Sequence, residues 1–287
     1  MVQGLGVFIR PLPTCIPRMG PKYEVVVAGA GPSGAAAARA CADAGLSTLL
    51  LEEQAHAGIP VQCAGLLSSS AFHECRVSDR PVLNRVSGAV VTGSEDSFSF
   101  DAGKTMAYVV DRSLLDQEMV LHAADAGAET SFKSPVIRVN PSAHQITVAG
   151  IGERKEITYD VLIAADGPRA SIARMAGLPR APVCLSGLQC DIPWESDPDK
   201  VGIFPNVSPE FFGWNIPLGP GRSRVGLCGI SGVREKFTRF VSQFTQNRLL
   251  FVSGTIPLGT LERTYTEGIM VVGDAAALAK PTSGGGV

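Results

Sequence analysis

No stretch of the 287-residue chain approaches the roughly 18–20 uninterrupted apolar residues of a membrane-spanning helix. That argues against a helical integral membrane protein and leaves peripheral contact with a membrane open. Neither sign of charge dominates: 25 Lys and Arg oppose 27 Asp and Glu, for a net charge of −2. Without a basic excess there is no electrostatic ground to expect nucleic acid as a partner. The seven cysteines, at 15, 41, 63, 75, 184, 190 and 228, are scattered and form no CxxC pair. Neither a bound metal nor a disulfide framework is therefore expected. An odd cysteine count without a signal peptide points to the reducing cytoplasm. Internal repeats and low-complexity tracts are missing as well. What remains is 45% hydrophobic residues in a chain long enough for two domains or one large one.

The chain is organised around residues 23–52, YEVVVAGAGPSGAAAARACADAGLSTLLLE. The β-branched run at 25–27 reads as a buried parallel strand. A glycine turn follows, then an alanine-rich helix to about Ala44 that Gly45 ends. A second apolar strand, 48–51, delivers Glu52 at its carboxyl end. Gly29 permits the tight turn, Gly31 lets a pyrophosphate approach the backbone, and Gly34 lets the helix pack on the strand. The helix amino terminus, with Ser33 in its turn, offers free N–H groups and a positive dipole end to phosphates. Glu52 is placed to accept hydrogen bonds from a ribose. Strand, turn, helix, strand and acid in order predict a dinucleotide site, without separating FAD from NAD(P).

Residues 1–20 hold three prolines and three glycines with no clear period. They read as a disordered leader, with Met19 as the expected start of the natural protein; an intact Met1 terminus by mass spectrometry would rule that out. One or two strands are expected over 85–100. Asp111 should cap a helix over 112–126. A hairpin is expected at 135–139 and 145–148. Residues 156–159 lead into a strand at 161–165, which ends at Asp166-Gly167. A short helix at 171–176 stops at Gly177. From 179 to about 260 prolines, aromatics and short alternating runs predict an antiparallel sheet, interrupted by one helix near 234–247. A buried parallel-type strand returns at 268–272, followed by Gly273-Asp274. The chain stops at Val287, directly after three glycines, where a helix would ordinarily open; a truncated C-terminus is the expectation.

The glycine turn with Glu52, the strand ending in Asp166-Gly167, and GIMVVGDAA at 268–276 together resemble the flavoprotein hydroxylase-like superfamily. That resemblance implies FAD as the cofactor, with Asp274 on the ribityl chain. Four further stretches resemble the geranylgeranyl reductase family, especially its archaeal digeranylgeranylglycerophospholipid reductase branch. PVQCAGLLS at 60–68 is similar to the family's PVQCAGG, and YVVDR at 108–112 matches its counterpart. PEFFGWNI at 209–216 is similar to PxxYxWxF, with Phe212 for tyrosine and Ile216 for phenylalanine. KPTSGGGV at 280–287 is similar to KPTTGGGI. The likeness spans about residues 23–287.

The resemblance implies an α/β fold: a three-layer, Rossmann-like FAD-binding domain with an inserted antiparallel β-sheet substrate domain. Residues 21–82, 104–179 and 261–287 would form the first, and 83–103 and 180–260 the second. Carried over residue by residue, it implies that Gly29, Gly31, Ser33, Gly34, Glu52 and Asp166 hold the ADP end. Cys63, Ala64 and Leu66 would lie beside the flavin, although Leu66 departs from the second glycine of CAGG. Arg112 would bind from its helix start, where the dipole disfavours a cation and so calls for an anionic partner. Val136 would offer backbone to the adenine, and Asp274, Gly286 and Val287 would complete the flavin side. Successive N–H groups over 282–286 would face the flavin and stabilise the charge that develops on reduction.

The implied activity is reduction of isolated carbon–carbon double bonds in geranylgeranyl chains of isoprenoid lipids. Cys63 is the candidate proton donor. NAD(P)H, ferredoxin or a deazaflavin could be the reductant. The aromatics at 211, 212 and 214 suit either a core or an apolar tunnel for a prenyl chain. Two alternatives stand beside this: a flavin monooxygenase acting on an aromatic ring, and a truncated, non-catalytic remnant.

Overall fold

In the computed structural model, which describes residues 21–150, 152–247 and 250–286, the expected strand–turn–helix–strand order is present. The leader, Met19 and Val287 lie outside the described residues. β1 (Lys22–Ala28) runs into the turn, α1 (Pro32–Asp43) leaves it, and β2 (Thr48–Leu51) pairs parallel with β1.

β3 (Leu66–Ser68), α2 (Ser69–Cys75), β4 (Val82–Val86), β5 (Gly88–Thr92), β6 (Ser97–Asp101) and β7 (Ala107–Val110) come next. Sequence predicts one or two strands over 85–100; the chain instead ends β4 in one sheet and starts β5 in another. The crossing is pinned at Ser87 and Gly88, whose N–H groups both donate to the Asp199 carbonyl. β3, β7 and β4 make a small antiparallel sheet.

α3 (Arg112–Asp125) begins as expected at Asp111, whose carboxylate accepts from the N–H of Ser113 and of Leu114 at 2.8 and 3.3 Å. β8 (Glu129–Ser131), β9 (Val136–Asn140), β10 (Gln145–Ala149), β11 (Arg154–Ala164) and α4 (Ser171–Met175) follow. β11 is one continuous strand through Asp160, because that side chain stays exposed and pairs with Lys22 at 2.8 Å. β12 (Val183–Pro193), β13 (Lys200–Phe204), β14 (Gly213–Gly219), β15 (Arg222–Gly229), α5 (Val233–Val241), β16 (Leu250–Leu258), β17 (Tyr265–Thr266) and β18 (Ile269–Val271) complete the order. α5 stops well short of 247; the Ser242 hydroxyl donates to the Arg239 carbonyl as the chain turns away.

Two large sheets result. In the first, β18, β11, β1, β2 and β8 run parallel in that spatial order, with the β9–β10 hairpin extending β11. Val25, Val27, Leu50 and Ile163 face α1 and α3, while Val26, Leu49, Leu162 and Ala164 face the hairpin and α4. These are the three layers of a Rossmann-like fold. In the second, the order is β16-β12-β15-β14-β13-β5-β6. It is antiparallel but for one parallel pair, β5 with β13. One face packs on α5, where Phe237 and Phe240 are 1% exposed, each burial stabilising by about 1.5–3 kcal/mol. The other face, with Leu185, Trp214, Ile216 and Cys228, meets Val86 and Val109 of the small sheet. No helix among the described residues is long and apolar enough to cross a membrane.

Candidate active site

The three glycine-containing motifs converge on the carboxyl ends of β1, β11 and β18. A Cβ on Gly29 (φ +109°) would lie 2.2 Å from the Ala165 carbonyl oxygen, so the first turn touches the strand end that carries Asp166. A Cβ on Gly34 would fall 1.9 Å from the Gly29 oxygen, and one on Gly273 would fall 2.5 Å from Ser33 Oγ. Ser33 thus rests against the third motif. Glu52 accepts from the Ala30 N–H at 2.8 Å and from the Gln54 N–H at 2.9 Å, which ties the end of β2 to the turn.

Gly31 behaves differently. Its φ is −71°, and an added Cβ would meet nothing within 4 Å. No side chain caps α1, and its first turn carries no acidic residue. An open space before free helix N–H groups is what a pyrophosphate requires. Deeper in, Asp166 uses one oxygen to accept from the Ile172 N–H, while Oδ1 is buried without a partner in the protein. Asp274 faces Gly286, where a Cβ would lie 2.9 Å from Asp274 Oδ1. Burial pushes Glu52, Asp166 and Asp274 above the usual carboxylate range, with Arg112 opposing the rise at Asp274. An open phosphate cradle with buried acceptors on both sides fits FAD. Val136 stands two residues beyond Ser134, whose N–H donates to the Glu52 carbonyl at 2.8 Å, on the ribose side of the cradle.

Cys63 lies in a loop held from two directions. Gly65 (φ +75°) leaves no room for a side chain, since a Cβ would lie 2.4 Å from the Val110 oxygen. Its N–H donates to Cys63 Sγ at 3.4 Å. The Leu66 departure falls one residue later, on a strand position opposite Val109, and the close backbone approach belongs to Gly65. The Arg112 side chain is 11% exposed and forks onto Asp116 at 2.9 and 3.1 Å, so the anion its position calls for comes from one turn along its own helix. Cys63 lies close enough to the guanidinium to act on its charge. Burial works against its charge, yet Cys63 and Asp116 together hold its pKa above the ordinary value.

From the large sheet, Gln189 Nε2 donates to the Cys63 carbonyl at 2.9 Å. Arg224 Nη1 donates to the Ala64 carbonyl at 3.0 Å. Sequence reasoning missed both residues. Their roles depend on the β12–β15 register, which no local pattern reveals. Beyond Ala64 the wall is apolar: Phe211 and Phe212 stack at 4.3 Å, and Trp214, Ile203 and Ile256 extend it.

At the closing glycines several backbone donors already have partners within the chain. A Cβ on Gly284 would touch Ile256 and Phe211, so the loop does reach the apolar wall. However, the N–H groups of Ser283 and Gly284 both donate to the Lys280 carbonyl, and that of Gly285 to Ser283 Oγ. These three N–H groups close a turn on their own chain, as backbone donors outside a helix take the nearest acceptor.

With this geometry in view, a comparison with known proteins is decisive. Residues 24–181 match the family model of the FAD dependent oxidoreductases. Digeranylgeranylglycerophospholipid reductase 2 of Methanothermobacter thermautotrophicus is 34% identical, over 93% of this chain and 74% of the relative. The digeranylgeranylglycerophospholipid reductase of Methanosphaerula palustris is 32% identical, over 93% of this chain and 73% of the relative. Among solved structures, a geranylgeranyl bacteriochlorophyll reductase-like protein from Thermoplasma acidophilum superposes with a TM-score of 0.87 at 28% identity, covering 93% of this chain and 74% of its own. The protein is an FAD-dependent oxidoreductase by fold and site. Within that class the chain belongs to the digeranylgeranylglycerophospholipid reductase family.

Proposed function

We propose that the protein saturates isolated carbon–carbon double bonds in the geranylgeranyl chains of isoprenoid membrane lipids or their precursors. The observation that carries this reading is the 63–64 loop: Cys63 stands beside the Arg112 guanidinium, whose charge also reaches Asp274, and Ala64 packs on the apolar wall. Once bound and reduced by the external donor, FAD would supply the hydride for one alkene carbon. Cys63 Sγ gives its proton to the other carbon, and Arg112 balances the thiolate that remains. Gly31, Ser33 and the amino end of α1 hold the pyrophosphate, and Glu52 takes the ribose. Asp274 accepts from the ribityl hydroxyls. Phe211, Phe212, Trp214 and Ile256 line the path of the prenyl chain and exclude water from it.

In this reading residues 21–82, 104–179 and 261–287 form the cofactor unit, and 83–103 and 180–260 the substrate unit. NAD(P)H, ferredoxin or a deazaflavin serves as reductant, and the enzyme meets its lipid by peripheral contact with the membrane. The substitution Cys63→Ala is expected to retain the yellow FAD spectrum and lose at least about a hundredfold in prenyl reduction, as removal of a general acid does. Full activity in that variant would refute the role of Cys63. Oxygen consumption coupled to ring hydroxylation would instead establish a monooxygenase.

A further inference from the structure

Three side chains of the large sheet, Gln189, Asp191 and Arg224, are at most 7% exposed and reach the Cys63 loop without belonging to the cofactor cradle. Asp191 and Arg224 stand directly opposite each other on β12 and β15. Arg224 Nε and Nη2 donate to the two Asp191 oxygens at 2.7 and 3.1 Å. That fork fixes the guanidinium plane and leaves Nη1 aimed at the Ala64 carbonyl, 3.0 Å away. Gln189 takes the preceding carbonyl, that of Cys63. Its own room is made by Gly226 on the neighbouring strand: a Cβ there would lie 2.6 Å from Gln189 Cβ and 2.5 Å from the Trp214 ring. A buried ion pair adds little net stability against apolar residues of the same volume. Its worth here lies in direction.

We propose that Gln189 and the Asp191-oriented Arg224 are positioning residues: by holding the successive carbonyls of Cys63 and Ala64 they set Cys63 Sγ against Arg112. The loop thereby stands beside α3 on one side and is bonded on the other to the sheet that lines the substrate path. Movement of that sheet then shifts the proton donor with it. This inference rests on the reading of Cys63 as proton donor, and its test separates the two.

The informative variant is Gln189→Met, which removes one neutral donor at constant shape and leaves no charge stranded. Arg224→Lys keeps the charge and one donor but loses the fork. Arg224→Met strands Asp191 beside Arg222 alone, 3.5 Å away, and can fail to fold for that reason. Each variant is purified as holoenzyme. Three quantities are followed: FAD content by absorbance, kcat and KM for prenyl reduction, and the pH profile of Cys63 alkylation by iodoacetamide, read by mass spectrometry of the Cys63 peptide.

Gln189→Met is expected to keep its FAD and its KM within about twofold. Its kcat should fall roughly ten- to a hundredfold, the scale of a misplacement near 1 Å. The alkylation profile should move with it, and Arg224→Lys should fall between this variant and the wild type. The proposal is overturned if both variants keep the wild-type kcat and alkylation profile, or if kcat falls while the profile does not move. Should Cys63→Ala stay fully active while Gln189→Met still moves the profile, the clamp stands and the proton-donor reading fails.

Discussion

Gly31 and Gly34 sit three residues apart in one turn, yet an added methyl group meets opposite conditions at the two positions. At Gly34 it would lie 1.9 Å from a backbone oxygen, and at Gly31 it would meet nothing. Gly34→Ala should therefore destabilise the flavin-free protein by about 1–3 kcal/mol or more, visible as a lower Tm. Gly31→Ala, whose backbone alanine adopts readily, should leave the flavin-free protein unchanged or stabilise it by about 0.4–1 kcal/mol. The same methyl fills the phosphate space, so FAD should bind some ten- to a hundredfold more weakly, about 1.4–2.8 kcal/mol. Wild-type affinity in a fluorescence titration of Gly31→Ala would remove Gly31 from the cofactor site. Asp274 is a second informative residue. Burial raises its pKa, so the folded chain keeps this proton over a range in which the unfolded chain has lost it. Its contribution to stability is full below the ordinary carboxylate value and fades as pH rises through the raised one. Asn cannot titrate. The Tm advantage of Asp274→Asn over wild type, both without flavin, should thus grow from pH 4 to pH 7.5, and a flat difference would argue that Asp274 is solvated.

At the scale of elements, what could be read in the chain follows from what is local. The β1–α1–β2 unit is written in consecutive residues: a β-branched run, glycines where contacts forbid a Cβ, and an acid at the next strand end. The Asp111 cap of α3 and the β9–β10 hairpin are equally local, and both lie where the sequence puts them. Register between distant strands is not written this way. The parallel pairing of β5 with β13 joins segments about a hundred residues apart. The facing of Asp191 and Arg224 likewise exists only once β12 and β15 have aligned. The candidate site divides along the same line. Gly29, Gly31, Ser33, Gly34 and Glu52 belong to one local motif, and a family resemblance adds Cys63, Arg112 and Asp274. Gln189 and Arg224 carry no local signal at all. The partners of the closing glycines are equally hard to read, since a loop N–H finds its acceptor in space and can turn back on its own chain.

Across the whole molecule, the Cys63 loop runs into the small sheet at Leu66 and is held by Gln189 and Arg224 of the seven-stranded sheet. Far from it, β6 forms the edge of the seven-stranded sheet, with Phe98 and Phe100 65% and 48% exposed on one side of the strand. Two uncovered aromatic rings on a free edge suit insertion into a lipid surface. In flotation with vesicles of isoprenoid lipid, the pair Phe98→Ser and Phe100→Ser should cut the bound fraction severalfold, and equal flotation would dismiss this edge as the point of contact.

The strand order carries a consequence for synthesis. β1 is the first strand of the parallel sheet to leave the ribosome, but its neighbour β11 borders β18, which comes at residues 269–271. At about 5–20 residues per second, β18 emerges on the order of ten seconds to a minute after β1. Through that interval Ser33 has no Gly273 to rest on, and the turn lacks the Asp274 side of its cradle. The two sides of the turn therefore meet only late in synthesis. On the edge of β11 that β18 joins, β10 already pairs the first half of the strand, but the stretch 162–164 has no strand partner there until then and is open to mispairing with a neighbouring chain.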